Sequence, residues 1–304
     1  MKIAAGIVVY NPDNNIRFRT CLEGILKQVE KVYLFDNSPE SITDKIPERV
    51  VYMTEHRNLG ISYALNRIMD AAKRDGFQWV LTMDQDSIVP EGLVDGYMKT
   101  IESTINIGIV CPQVIDGRRS YMEIKEEPKQ EIVDFCITSA SCTSIKAWEK
   151  VGKFDDWLFI DLVDNDFCKR LVVSGYKIVK LNDKILNQEF GKIIPKKERI
   201  QKFWIGMSKL LNNQNIAKFS YRKFVSPMRI YYTCRNIIYV NKKLNNYGPV
   251  AYRDNYNCNS YIGFVISFIL PSVLRAQDKF AVLKAAIKGT RDGKRKEVVV
   301  WKAN

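Results

Sequence analysis

The chain has 304 residues, enough for one large domain or for a domain with a sizeable appendage. Its 46% hydrophobic and 27% charged residues fit a globular protein, and its seven cysteines form no Cys-x-x-Cys pair, which argues against a zinc site. The net charge of +13 is uneven, with 23 Lys and Arg against 5 Asp and Glu from Gly191 to Asn304, and 24 against 29 before that. In chain order, residues 2–10 form a Val- and Ile-rich run suited to a buried parallel strand, and residues 15–29 carry helical spacing. Strands are predicted at 31–38, 49–56, 78–87 and 107–115, with helices at 60–76 and 91–103 between them. This alternation predicts an α/β domain built on a doubly wound, mostly parallel sheet. Beyond it, "GRRSYMEIKEEPKQE" (117–131) reads as a charged loop, 132–148 as a strand-like stretch rich in small residues, and 163–176 as a helix followed by a short strand. Helical patterns at 197–211, 226–243 and about 257–290 complete a C-terminal appendage. The break between core (1–195) and basic helical region (196–304) falls near 191–197, where the charge balance also changes.

The basic third predicts an anionic partner: nucleic acid, phospholipid headgroups or a diphosphate substrate; a solvated basic surface is the plain alternative. No uninterrupted apolar run reaches the roughly 18 residues of a spanning helix. The longest, Tyr261–Leu274, is cut by Pro271 and reads as a core or interfacial helix. With no secretory leader pattern after Met1, a reducing cytosolic setting without disulfides is expected.

Ligands of doubly wound sheets bind beyond the carboxyl ends of the strands. Three polar clusters stand at such ends: Tyr10-Asn11, Asp36-Asn37-Ser38 and Asp84-Gln85-Asp86. An Asp-x-Asp after an apolar strand offers hard oxygen ligands to a divalent ion and leaves positions for substrate phosphates. In "NLGISYALN" (Asn58–Asn66), Gly60 opens a helix whose free N–H groups suit a phosphate. Asp161, Asp164 and Asp166 lie beside Trp157, Phe159 and Ile160, where apolar neighbours raise a carboxyl's pKa toward that of a general base; acids stabilising a first helical turn are the structural alternative. Arg229 and Arg235 flank Tyr231 and Tyr232, a pattern that clamps a phosphate or sugar, or merely packs a helix.

The segments "IVVYNP", "LFDNS", "NLGISYALN", "MDQDS", "FIDLVDNDFCKRL" and "MRIYYTCRN", in that order over residues 3–236, resemble an inverting family 2 glycosyltransferase of the GT-A fold, and specifically its bacterial rhamnosyltransferase branch. The resemblance implies that Tyr10, Asn11 and Asp36 bind the donor nucleoside, and that Asp86, with Asp84 nearby, carries Mg²⁺ or Mn²⁺ on the donor diphosphate. It places the catalytic base on Asp164, with Val163 where the family has a partner acid. In "LNQEFG", Gln188 stands where the family often has a metal-completing histidine; the chain's single histidine, His56, lies elsewhere. Asn58, Gly60 and Asn66 would complete donor binding, with Asp161, Asp166, Trp157, Arg229 and Arg235 as acceptor or phosphate candidates. The implied donor is dTDP-rhamnose, with a UDP-sugar as alternative. The implied acceptor is a lipid-linked saccharide at the inner face of the cell membrane, reached by peripheral attachment of the basic region to anionic lipid. A core or homodimer interface is that region's other use. Transfer of galactose or glucose, and a catalytically weak scaffold, stay open as rivals. A nucleotidyltransferase does not fit, because "VVYNPDNN" lacks a glycine-rich loop. An acidic rim likewise argues against nucleic acid.

Overall fold

The computed structural model describes residues 1–12, 16–42, 46–119, 121–189, 191, 193–212 and 214–303. It forms two compact units. The first comprises Met1–Val114, Lys125–Leu186 and the C-terminal Trp301–Asn304; the second comprises Ile115–Ile124 and Asn187–Val300.

The first unit holds β1 (Ile3–Val9), α1 (Ile16–Leu26), β2 (Val32–Asp36), β3 (Val50–Thr54), α2 (Ile61–Arg74), β4 (Trp79–Asp84), α3 (Leu93–Ser103), β5 (Ile107–Ile115), β6 (Gln130–Val133), β7 (Ser141–Ser144), α4 (Ile145–Lys150), α5 (Val163–Val173) and β8 (Lys177–Asn187). The strands make one eight-stranded sheet in the order β3-β2-β1-β4-β7-β5-β8-β6. Strands β3, β2, β1 and β4 run parallel, whereas β7 pairs antiparallel with both β4 and β5, and β6 antiparallel with β8. Every residue of β1 and β2 is buried, as expected of strands covered on both faces. The predicted α/β core is therefore present. Its second half is antiparallel because the stretch 132–148, read as strand-like alternation, folds as a short strand, a four-residue strand and a helix.

The Trp301 indole N–H returns the C-terminus to the first unit through a 3.2 Å bond to the Val151 carbonyl. The buried carbonyl of Val151 also receives Arg170 Nη1 at 2.5 Å.

The second unit contains β9 (Ile193–Pro195), α6 (Glu198–Leu210), α7 (Gln214–Ala217), β10 (Tyr221–Lys223), α8 (Pro227–Lys243), α9 (Val250–Tyr256), α10 (Tyr261–Phe264), α11 (Leu270–Arg275) and α12 (Lys279–Arg295), with β9 and β10 antiparallel. A π-turn at Val265–Ile269 joins α10 to α11. Part of the predicted charged loop is anchored here. Buried Asp116 takes Arg118 at 2.8 Å and Arg119 at 3.1 Å, Arg119 lies 5.4 Å over the Tyr221 ring, and Tyr121 stacks on Tyr221.

Helices α8 and α12 pack backbone to backbone. A Cβ at Gly289 would sit 2.2 Å from the Tyr231 carbonyl oxygen, and one at Gly293 would sit 2.5 Å from that of Arg235. The two glycines, four apart, put the close approach on one face of α12. Within the 26 residues Val250–Arg275, an 18-residue window has a mean hydropathy of 1.4, enough by length and composition to cross a membrane.

Candidate active site

Strand β4 delivers Asp84, Gln85 and Asp86 into a turn closed by Ser87 N–H on the Asp84 carbonyl at 3.2 Å. Gln85 fastens this turn to the end of β1: its Oε1 accepts Tyr10 N–H at 2.6 Å and its Nε2 donates to the Tyr10 carbonyl at 3.3 Å. Asn11 N–H reaches Ser38 Oγ at 2.7 Å, and Ser38 N–H reaches Asp36 Oδ1 at 2.8 Å. The three polar clusters thus form one hydrogen-bonded rim across β2, β1 and β4. Arg17 Nε closes the far side on the Asp86 carbonyl at 3.0 Å. The Cys21 thiol beneath is pushed up to about 12, first by burial and then by the negative charges of Asp84 and Asp86.

A loop of small residues, Cys136–Ser141, links this rim to α5. Ser139 Oγ accepts the Asp84 N–H at 3.3 Å and bonds Ser87 Oγ at 2.7 Å, while Thr82 Oγ1 donates to the Thr138 carbonyl at 2.6 Å. Tyr97 OH holds the Ala140 carbonyl at 2.6 Å, fixing a residue with φ of 58°. Asp164, in the first turn of α5, lines a void of about 10 Å³ with Cys136, Thr138, Phe154 and Phe167, room for at most about one water. The residue is partly exposed, yet this apolar wall desolvates its carboxyl. Its pKa is pushed up to about 8, first by desolvation and then by the charges of Cys136, Asp84 and Asp161; a hydrogen bond from Thr138 acts the other way. Asp161 and Leu162 enter the helix with φ of 67° and 60°, a left-handed pair that costs energy in residues with side chains.

Several predicted site residues have structural duties instead. Asn66 is buried with both ends of its amide committed: Nδ2 donates to the Phe154 carbonyl and Asp156 Oδ1 at 2.9 and 2.7 Å, and Oδ1 accepts Trp148 Nε1 and Phe154 N–H, both at 3.0 Å. The helix start at Gly60 is taken too, since Ile61 N–H bonds the Phe159 carbonyl at 2.7 Å. Gly60, at φ of 89°, is a glycine because a Cβ there would lie 2.6 Å from that carbonyl oxygen. Asn58 Oδ1 accepts the Gly60 N–H at 3.0 Å and shapes the turn. Gly60 and Asn66 thus both hold the segment 154–159 against α2. Asp166 is likewise a core residue, paired with Arg170 Nη2 at 2.5 Å and Nε at 2.9 Å in a buried ion pair.

Asp36 is fully buried, with Tyr52 OH on its Oδ2 at 2.7 Å; it sets the rim from beneath. Trp157 is half-buried, its N–H bonded to Asp155 Oδ1 at 3.0 Å. Gln188, Arg229 and Arg235 belong to the second unit. Gln188 is buried, with its N–H on the Ile115 carbonyl at 3.0 Å. Arg229 is exposed, and Arg235 lies 4.7 Å over the Tyr232 ring with Nε on Asn236 Oδ1 at 2.8 Å, which makes it a packing residue of α8. Among the described residues no group of three or more His, Cys, Asp or Glu side chains is placed to hold a metal. Sequence reading missed Gln85 as the clamp on Tyr10, and it missed Cys136, Thr138 and Ser139. The run "TSAS" was their only signal.

Residues 5–148, which include the rim and the linking loop, match the family model described as Glycosyl transferase family 2, and the fold is of GT-A type. Among curated proteins, the dTDP-rhamnosyl transferase RfbF of Shigella flexneri is 27% identical over 191 residues, which cover 57% of this chain and 64% of that relative, under two thirds of its length. The mannosyltransferase PcManGT from Pyrobaculum calidifontis, solved with GDP-Man and Mn²⁺, superposes with a TM-score of 0.50 at 13% identity over 97% of this chain and 87% of its own. GalNAc-T7, solved with UDP, GalNAc and Mn²⁺, gives 0.51 at 11% identity over 89% of this chain and 57% of its own. At these identities the likeness to the solved structures is one of fold.

Proposed function

We propose that this protein transfers a sugar from a nucleoside-diphosphate donor to an acceptor hydroxyl with inversion, and that Asp164 is the base. The observation that carries this reading is the linkage of two acidic residues: loop Cys136–Ser141 accepts the backbone N–H of Asp84 on Ser139 Oγ and walls Asp164 through Cys136 and Thr138. Asp84 and Asp86 offer two hard oxygen donors at a tight turn, a set that suits a divalent cation whose remaining positions go to a diphosphate. Such a cation supplies charge to offset that growing on the leaving diphosphate. The reading does not use Gln188.

Asp164 takes the acceptor proton as the oxygen attacks, and its raised pKa makes it a strong base once ionised. Gln85 and Ser38 fix the backbone of Tyr10 and Asn11 where the nucleoside would lie. The donor favoured is dTDP-rhamnose, supported by the likeness to RfbF, and the acceptor a lipid-linked saccharide at the cytoplasmic side of a membrane. The core at 1–195 would bind donor and run the chemistry, and the basic region 196–304 would serve acceptor or membrane.

Thermal shift with dTDP, UDP and GDP, each with and without Mn²⁺, tests the donor. A ligand at about 100 times its Kd adds roughly 2.7 kcal/mol, so dTDP with Mn²⁺ should stand apart. Equal shifts for all three nucleotides would remove the nucleotide assignment. Retention of transfer by Asp164→Asn would remove the base.

A further inference from the structure

The second unit leaves an apolar face uncovered. Helices α10 and α11 expose Ile262 by 71%, Ile266 by 63% and then Leu270 and Leu274, spaced by four residues and so on one stripe. Helix α12 exposes Phe280 by 85%, Leu283 and Ile287 by 62%, at the helical spacing of three and four. The two helices meet over a cleft of about 470 Å³, with Val265 and Ile269 on one wall and Leu283 and Ile287 on the other. Arg291, Lys294 and Arg295 close one end of it.

The acids near this face are each hydrogen-bonded. Asp292 accepts Tyr231 OH at 2.9 Å through Oδ2 and faces Arg291 Nε at 3.4 Å through Oδ1, and Asp278 caps α12 by accepting Ala281 N–H at 2.8 Å; Arg291, Lys294 and Arg295 together outnumber Asp292 at this end. The face is thus an apolar stripe with a cationic end. A second copy would bring like charges together, whereas an anionic phospholipid surface complements both features.

We propose that this face docks on an anionic membrane, with acyl chains against Ile262, Ile266, Phe280 and Ile287 and lipid phosphates at Arg291, Lys294 and Arg295. It lies on the surface and does not cross. Although Val250–Arg275 has the composition of a span, the helix breaks at Asn257, with φ of 49°. The unbroken part, Tyr261–Arg275, is about 22 Å long at 1.5 Å per residue, short of a hydrocarbon core of about 30 Å. This deepens the reading above by naming the surface that brings the protein to a lipid-linked acceptor, but its test needs no transfer.

The experiment is flotation of the full chain with vesicles of phosphatidylcholine containing about 30% phosphatidylglycerol, against pure phosphatidylcholine. Binding to the anionic vesicles should be at least tenfold stronger and should fall with salt. The doubles Phe280→Glu/Ile287→Glu and Lys294→Glu/Arg295→Glu should each lose tenfold or more. Ile105→Glu, equally exposed but in the first unit, should lose nothing. Because these side chains are exposed, unchanged circular dichroism confirms folding. The proposal is overturned by equal binding to neutral vesicles, or by doubles that bind like the parent. It also falls if inorganic pyrophosphate displaces the protein from vesicles, which would make the basic cluster a diphosphate site. A lipid-free dimer dissolved by the same doubles would make the face a self-interface and overturn it as well. A nucleotide-induced thermal shift retained in both doubles separates failure here from failure of the transferase reading.

Discussion

Ile7 in β1 and Ile262 in α10 are the same side chain put to opposite use: the first has no exposed surface and the second is mostly exposed. The first unit spends its apolar residues on a sheet covered on both faces, and its polar ones on specific bonds beneath a rim. Asn66, Asp36 and Asp166 are each buried and each hydrogen-bonded in that manner. The second unit closes tightly along α8 and α12 and around the buried Phe264, and turns an apolar face of α10 to α12 outward. A precise interior fixes where Asp164 and the Asp84 turn stand. An outward face fixes only what the protein can lie against. The first tolerates few substitutions, and the second should tolerate many.

The largest effect expected is on chemistry in the first unit. Asp164→Asn should lower transfer by about 10²–10⁴-fold while leaving the nucleotide-induced thermal shift in place, as expected for loss of a general base. The same substitution should raise stability. A carboxyl whose folded pKa is about 8, against 3.8 unfolded, binds its proton more tightly in the folded state across that window, so stability falls as pH rises from 4 to 8. Asparagine removes the loss, and unfolding at pH 8 should show a gain of about 0.5–2 kcal/mol that vanishes near pH 4. A variant that is inactive and also less stable at pH 8 would mean that Asp164 holds the fold.

Next in size is the buried ion pair. Arg170→Met leaves the Asp166 carboxylate uncompensated in the core and should cost about 3–5 kcal/mol in urea unfolding. Adding Asp166→Leu should recover most of that, because a well-packed apolar pair avoids desolvating two charges. No recovery would place the value of the pair in the second bond of Arg170, to the Val151 carbonyl.

The second unit is tested where it is tight. Gly289→Ala drives a Cβ into the Tyr231 carbonyl and should cost about 1–3 kcal/mol, as overpacking does. Gly206→Ala, on exposed α6 with open space around it, should be neutral or stabilising by up to about 1 kcal/mol. Equal outcomes for the two would show that α12 is free to back away from α8.

How much of this was legible follows from what each residue's role depends on. Strands β1, β2 and β4 were readable because a strand buried on both faces must be apolar throughout, and the polar rim because a ligand site at strand ends interrupts that pattern. The antiparallel β7 was not readable, since "SCTS" is short and small, and its pairing is decided by β4 and β5 far away in sequence. Asn66 and Gly60 look like donor residues in one dimension because a helix start with polar residues suits a phosphate. Only the fold shows that segment 154–159 arrives first. Asp166 and Asp164 sit two residues apart on one helix, and the choice between core and site turned on Arg170, one turn on.

The smallest effect is also the finest probe of the first unit. Cys136 Sγ has three polar neighbours: Ser141 Oγ at 3.5 Å, the Cys168 sulfur at 3.9 Å, and Cys111. Those hydrogen bonds draw its thiol well below the ordinary value, against the opposing effect of burial, and a thiolate at this position would help to hold the Asp164 carboxyl protonated. Cys136→Ser keeps the size and a polar atom but removes a group that can ionise there. The acid limb of the kcat/KM profile, expected near pH 8, should then move to lower pH by a few tenths of a unit to about one, with activity above pH 9 nearly unchanged. An unmoved limb would show Cys136 neutral and leave desolvation as the main source of the raised pKa. A limb moved upward would mean that the serine hydroxyl stabilises the protonated acid instead.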